Sequence, residues 1–147
     1  LASVNTHDLP PAAGYLEYGH VKLREQLGLL SGPVEEFQKS AEAEHNAMLS
    51  MLVDEGYLDA SALEDELANE NEIIDALYRG LKGSPCKLMA ASIVDAVGEK
   101  RTQNQPGTSN EYPNWRIPLA DGDGNVVPLE QLFDNTRLQE IAAIMCG

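Results

Sequence analysis

Cationic, sulfur-bearing and aromatic residues are scarce in this sequence. Against 24 Asp and Glu it sets only 10 Lys and Arg, a formal net charge of −14 over 147 residues. That balance argues against a nucleic-acid partner, because phosphate binding needs clustered cations, and it disfavours an anionic membrane surface for the same reason. No apolar run reaches the roughly 18 residues of a membrane span. The opening Leu1-Ala2-Ser3-Val4 lacks the charged start and long apolar stretch of a signal peptide, and reads instead as a strand cut from something longer. Cys86 and Cys146 are the only cysteines. They have no CxxC spacing, so two reduced, buried or half-buried thiols in a cytoplasmic protein are expected. No internal repeat or low-complexity tract is present.

What is there is ordinary globular material, with 43% hydrophobic and 23% charged residues, enough for a sizeable core. Leu1 to Val4 reads as a short buried strand that delivers the polar loop Asn5-Thr6-His7-Asp8. Pro10-Pro11 ends it and suits entry into a helix. A helix is expected around Val21 to Leu29, with Val21, Leu23, Leu27 and Leu30 toward the core. Pro33 should open a long helix to about Glu55, closed by Gly56, with an apolar stripe of Val34, Phe37, Ala41, Met48, Met51 and Leu52. Asp59 or Ser61 can cap a short acidic helix ending near Leu67. Asn69 or Asn71 then starts another, carrying Ile73, Ile74, Leu77, Tyr78 and Leu81 and stopped by Gly83-Ser84-Pro85.

Lys87 to Ile93 is the best internal strand candidate. Asp95 to Gly98 reads as a helical turn and Glu99 to Tyr112 as an irregular loop. Arg116 to Ala120 and Asn125 to Pro128 suit a hairpin. A final helix from about Asn135 to Met145 carries Leu138, Ile141, Ala142 and Met145. The fold class is therefore mainly α with two or more short strands. Two strands separated by helices make a parallel crossover unit, which needs further strands beside it.

Two polar strings carry the chemistry. In the first, Asp8 before Leu9-Pro10-Pro11 could simply cap a helix, with His7 a partly buried neighbour. An apolar strand ending in His-Asp would otherwise present both side chains at a strand's carboxyl end, where parallel barrels place their active sites. In the second, Asn104-Gln105-Pro106-Gly107-Thr108 reads as a turn whose amide can both donate to and accept from hydroxyls. It is followed by Tyr112-Pro113-Asn114-Trp115-Arg116. Trp115 could stack on a sugar face and so joins the substrate-binding candidates, although a packing role is favoured, with Arg116 tied to a neighbouring acid. Asp121, Asp123 and Asn125 fail as a calcium loop, since Val126 occupies the required glycine position and Leu132 the closing glutamate position. A tight turn is the better reading there, and no metal site is expected. His20 and His45 read as surface or satisfied packing residues. Glu35, Glu36, Glu42, Glu44 and the cluster from Glu64 to Glu72 read as solvated helix faces.

Thr6-His7-Asp8-Leu9-Pro10 with Gly14-Tyr15, then Asn104-Gln105-Pro106-Gly107-Thr108 and Tyr112-Pro113-Asn114-Trp115-Arg116, in this order, resemble the C-terminal part of the 4-alpha-glucanotransferases (amylomaltase or disproportionating enzyme, glycoside hydrolase family seventy-seven). Leu9-Pro10-Pro11 after Asp8 matches the bacterial maltose-utilisation type. The resemblance implies that residues 1–147 form the C-terminal quarter of a (β/α)8 catalytic barrel, with its last two strands, intervening helices, closing loop and C-terminal helix. It implies retaining transfer of alpha-1,4-linked glucosyl or maltooligosyl units between glucans, with no metal or organic cofactor. By resemblance Asp8 is the third, transition-state-stabilising carboxylate, His7 bonds the same sugar, and Asn104 lies at the acceptor side of the cleft. None of the acidic residues here matches the family's nucleophile or acid/base, so the isolated chain should be inactive. With its barrel edges uncovered, it should also self-associate or rearrange its N-terminal strand. The rival reading is a free-standing acidic helical interaction module in which His7-Asp8 only caps a helix.

Overall fold

The computed structural model describes residues 1–147. Strand β1 (Ala2–Ser3) pairs in parallel with β2 (Met89–Ala90), in the register Ala2 to Met89 and Ser3 to Ala90. The Ala2 N–H donates to the Leu88 carbonyl at 2.9 Å. Between the strands the chain builds α1 (Ala12–Leu16), α2 (Gly19–Gln26), α3 (Val34–Asp54), a 3-10 turn (Ala60–Glu64) and α4 (Glu70–Gly83). Beyond β2 come α5 (Ile93–Val97), a long loop, α6 (Leu129–Leu132) and α7 (Thr136–Cys146). The molecule is thus mainly helical around one small parallel sheet, as its sequence pattern implies.

Local chemistry sets most of the boundaries. Pro33 stands at the head of α3 and Glu35 and Glu36 occupy its first turn, where carboxylates complement the free N–H groups and the helix dipole. Gly56 takes φ 75° beyond its end, and its N–H and that of Tyr57 return to the carbonyls of Val53 and Leu52. Asn135 caps α7 by accepting from the Leu138 N–H at 2.9 Å. Asp59 caps the 3-10 turn through the Ser61 N–H at 2.9 Å. Gly83-Ser84-Pro85 ends α4, as expected.

Helix α4 is the centre of the core. Ile73, Ile74, Ala76 and Tyr78 are fully buried on it, packed with Ala12, Ala13 and Leu16 of α1, Leu49 and Leu52 of α3, and Ile141 of α7. Burying each isoleucine side chain contributes about 1.5–3 kcal/mol. Ile141→Ala would open a cavity where α4 and α7 meet, at a cost of about 2–5 kcal/mol.

Several expectations are corrected. Met51 is exposed, because the buried stripe of α3 runs Ala41, His45, Leu49, Leu52 and Met51 lies a quarter turn away. On α2 only Val21 is buried, leaving Leu23, Leu27 and Leu30 half-covered. Ala142 of α7 is exposed. The strand foreseen over Lys87 to Ile93 shrinks to two residues, since Ser92 turns extended at the head of α5 and Ile93 already belongs to that helix. The hairpin reduces to a single bridge between Ala120 and Val126. Its turn is held by the Asp121 carboxylate, which accepts from the N–H groups of Asp123 and Asn125. Helix α6, entered through Pro128, has no counterpart in the expectations. His45 is a buried residue only 2% exposed, with Nε2 2.6 Å from Glu66 Oε2. Glu66 is therefore a core histidine's partner rather than part of a solvated face. Cys86 is half-buried, whereas Cys146 is exposed, and both are free thiols.

Candidate functional site

The carboxyl end of β1 runs directly into Asn5-Thr6-His7-Asp8, which a turn closes through the Leu9 N–H to the Thr6 carbonyl at 3.1 Å. Asp8 does not cap a helix. The residue at the head of α1 is Pro11, and no side chain of that segment caps it. Asp8 Oδ1 instead accepts from Asn104 Nδ2 at 2.6 Å, across 96 residues of sequence. Its other oxygen lies 3.4 Å from His7 Nε2, and both side chains are exposed. The first two candidates and Asn104 thus meet at one rim.

Trp115 joins them. Its ring centre is 5.2 Å from that of His7, tilted by 43°. The packing role favoured for it is corrected, since the residue is 63% exposed. The reason is local. Trp115 adopts φ 61°, a left-handed conformation uncommon for a bulky residue, with its N–H held by the Gln103 carbonyl at 2.9 Å. That backbone turns the indole out over the rim. Arg116 is also exposed and pairs with no acidic group. The acid-bound arginine of this loop is Arg101, whose guanidinium lies 2.7 Å from Glu99.

An open cavity of about 300 Å³ at the strand ends is lined by Asn5, Thr6, His7, Ser92, Gln103 and Trp115. Asp8 faces a second groove of about 590 Å³, shared with His20, Arg24, Lys100, Gln105 and Tyr112. The His7-Asp8 turn is the ridge between them. The loop that brings Asn104 to this ridge is internally braced. Asn114 Oδ1 accepts from the Gln105 N–H at 2.7 Å, and the Tyr112 hydroxyl donates to the Thr102 carbonyl at 2.7 Å. Asn114 and Tyr112 therefore shape the loop. Gly14 brings α1 against its base, where a Cβ would stand 2.2 Å from the Lys100 carbonyl oxygen.

Two buried carboxylates support this rim. Asp95, 1% exposed, accepts from Asn5 Nδ2, the Ala12 N–H and the Tyr78 hydroxyl, each at 2.7 Å. Burial pushes its carboxyl above the usual range, and these neutral donors only partly oppose that. Glu99, also 1% exposed, accepts from the N–H groups of Lys100, Arg101 and Ala120 and from two nitrogens of the Arg101 guanidinium. Burial works against its ionisation too, but the Arg101 side chain and the backbone donors outweigh it and hold the carboxyl below the usual range. The sequence reading passed over both, together with Asn5. For Asp95 a signal existed, a lone charge inside the apolar run Ile93-Val94-Asp95-Ala96-Val97, where unpaired acids are rarely tolerated.

No group of three or more His, Cys, Asp or Glu side chains comes together as a metal site, and no helix is long and apolar enough to cross a membrane. The rim offers an accepting carboxylate, an amide, an imidazole and an open aromatic face. Such a set suits a neutral, hydroxyl-rich ligand of the carbohydrate kind.

Comparison with known proteins places the chain more narrowly. Residues 1–122 match the glycoside hydrolase family 77 profile, 4-alpha-glucanotransferase, and the chain belongs to that family. The 4-alpha-glucanotransferase of Mycobacterium tuberculosis is 49% identical over 97% of this chain, which corresponds to 19% of that protein. The Haemophilus influenzae 4-alpha-glucanotransferase is 28% identical over 94% of this chain and 19% of its own length. The crystal structure of amylomaltase from Corynebacterium glutamicum superposes with a TM-score of 0.82 at 36% identity, covering 97% of this chain and 21% of that one. The chain spans about a fifth of the length of the curated relatives it matches.

Proposed function

We propose that residues 1–147 are the C-terminal part of the (β/α)8 catalytic barrel of a 4-alpha-glucanotransferase, contributing its last two strands. The parent enzyme moves alpha-1,4-linked glucosyl or maltooligosyl units from one glucan to the 4-hydroxyl of another, in the cytoplasm, with retention and without a metal or organic cofactor. The observation that carries this reading is the Asp8–Asn104 hydrogen bond of 2.6 Å at the carboxyl end of a parallel strand. It joins the two motifs at the place where parallel barrels keep their chemistry.

Retaining transfer passes through an oxocarbenium-like transition state, with a nucleophilic carboxylate and an acid/base carboxylate about 5 Å apart. Neither is assigned to this chain. Asp8 acts as a third carboxylate that grips hydroxyls of the reacting sugar and holds the ring in its flattened form. Bonds of this kind lower the barrier when they tighten in the transition state. His7 bonds the same sugar, Trp115 offers its face to a ring, and Asn104 both orients Asp8 and reaches toward the acceptor. The unpaired outer edges of β1 and β2 are where neighbouring barrel strands would lie.

Asp8→Asn in the full-length enzyme tests the assignment. Turnover on maltotriose is expected to fall by about 100-fold or more with KM changed far less. Unchanged turnover would remove Asp8 from the reaction. The isolated chain, lacking a nucleophile, should neither release glucose nor redistribute chains. With its sheet edges bare, it should scatter light as more than a monomer at micromolar concentration.

A further inference from the structure

The turn that bears His7 and Asp8 is short, polar and exposed; the Leu9 N–H closes it on the Thr6 carbonyl, but that bond alone does not fix where its two ends lie against the fold. The fixing comes from Asp95 in α5. A single oxygen, Asp95 Oδ1, accepts from Asn5 Nδ2 at 2.7 Å and from the Ala12 N–H at 2.7 Å. These donors stand immediately before and after the segment Thr6 to Pro11. One atom therefore closes both ends of the turn.

The Ala12 N–H is one of the unsatisfied donors at the start of α1. Pro11 has no N–H and no side-chain acceptor of its own to supply there. Asp95 fills that vacancy from a helix 83 residues away in sequence. Its second oxygen, Oδ2, looks the other way and accepts from the Tyr78 hydroxyl at 2.7 Å. Tyr78 is fully buried in α4, and its oxygen also receives the Ser92 N–H at 3.0 Å. The carboxylate thus has a loop side and a core side. Through it, the rim is registered to the most buried helix of the molecule.

We infer that Asp95 is a positioning residue for glucan transfer, acting as a two-ended clamp that holds the His7-Asp8 turn in reacting geometry without touching the sugar. The inference rests on the role proposed above for Asp8. A displacement of about 1 Å at a reacting group can cost about 100-fold in rate, and release of both turn ends permits a displacement of that size. Because Oδ1 carries the clamp, an asparagine should preserve it. The asparagine carbonyl can accept from both Asn5 and Ala12, and only the Tyr78 contact is compromised.

The test is a set of variants in the full-length enzyme, with kcat normalised to folded protein. Asp95→Ala is expected to lower kcat on maltotriose about 100-fold, with KM moving by less than about threefold. Asp95→Asn should recover turnover to within about tenfold of the parent. In an Asp8→Asn background, Asp95→Ala should cost almost nothing more, since groups that act as a unit are not additive. A folded Asp95→Ala enzyme with parental kcat overturns the inference, and so does a loss that multiplies in full on top of Asp8→Asn. If Asp95→Ala does not fold, Asn5→Ala carries the same cycle. It removes one arm of the clamp while leaving Asp95 and Tyr78 paired, and roughly a tenfold loss is expected, the worth of one such bond. A fully active Asp8→Asn enzyme is a separate failure, because it occurs with Asp95 intact. It would overturn the role of Asp8 and leave the clamp nothing to position.

Discussion

Asp95 and Glu99 lie four residues apart, on either side of the left-handed Gly98, and are buried to the same degree. Their surroundings differ in kind. Asp95 faces an amide, a backbone N–H and a phenol, whereas Glu99 faces three backbone N–H groups and a guanidinium. The first carboxyl is pushed up by its burial and the second is held down despite it. Burial alone therefore does not determine what a carboxylate does here. Neutral donors let Asp95 join three distant elements at an electrostatic cost. A cation lets Glu99 stay ionised and fix the local path of one loop.

The largest effect should come from breaking the charged side. Glu99→Ala leaves the buried Ala120 N–H, the half-buried N–H groups of Lys100 and Arg101 and the partly exposed Arg101 guanidinium without their acceptor. A destabilisation of about 3 kcal/mol is expected, at the upper end for donors left unsatisfied, since the guanidinium keeps contact with water. Chemical denaturation of the full-length protein would measure it. Arg116→Ala, which severs no such contact, should stay within about 0.5 kcal/mol and serves as the control.

A smaller effect is expected where the two regions touch. Gly14 lets α1, clamped by Asp95, lie on the backbone of Lys100, beside Glu99. Gly14→Ala drives a Cβ against a carbonyl that cannot move freely, and should cost about 1–3 kcal/mol. A melting temperature equal to the parent's would show that the contact is loose.

The smallest effect, and the sharpest for the comparison, is in pH. Glu99 has a lowered carboxyl, so its contribution is present above the ordinary glutamate value of about 4.3 and is lost as pH falls through its folded value. Asp95 has a raised one, so its ionisation costs stability as pH rises from the ordinary aspartate value through its folded value. Acidification from pH 7 toward about pH 4 should therefore widen the parent's advantage over Asp95→Asn while the gap between the parent and Glu99→Gln holds steady. Only below about pH 4.3 should the Glu99→Gln gap begin to narrow. Parallel gaps across that range would mean the two sites do not differ as described.

Much of this architecture was legible because its signals are local. Pro33, Gly56 and Asn135 mark helix ends through chemistry within a few residues, whereas Asn69 stands at the head of α4 without a side-chain cap; the parallel pairing of the two strands follows from the helices between them. Motif resemblance gave Asp8 the reacting sugar and Asn104 the acceptor side of the cleft, but the direct bond between them was not legible. Nothing in either string specifies a partner 96 residues away. The double role of Asp95 and the pairing of His45 with Glu66 were not legible, since each depends on helices converging from distant sequence. Trp115 was misjudged because its exposure is set by a left-handed backbone, which no side-chain pattern announces.

That backbone choice has an optical consequence. Trp115 is the chain's only indole, and it stands in solvent beside an imidazole. Its emission from this segment should already be that of a water-exposed indole, so melting of the α4 core should leave the signal almost silent. A sugar ring settling over the indole would remove water from it and shift the emission to the blue. The fold has placed its one intrinsic lamp on the lining of the cavity at the strand ends, where occupancy of that cavity would be read without a label.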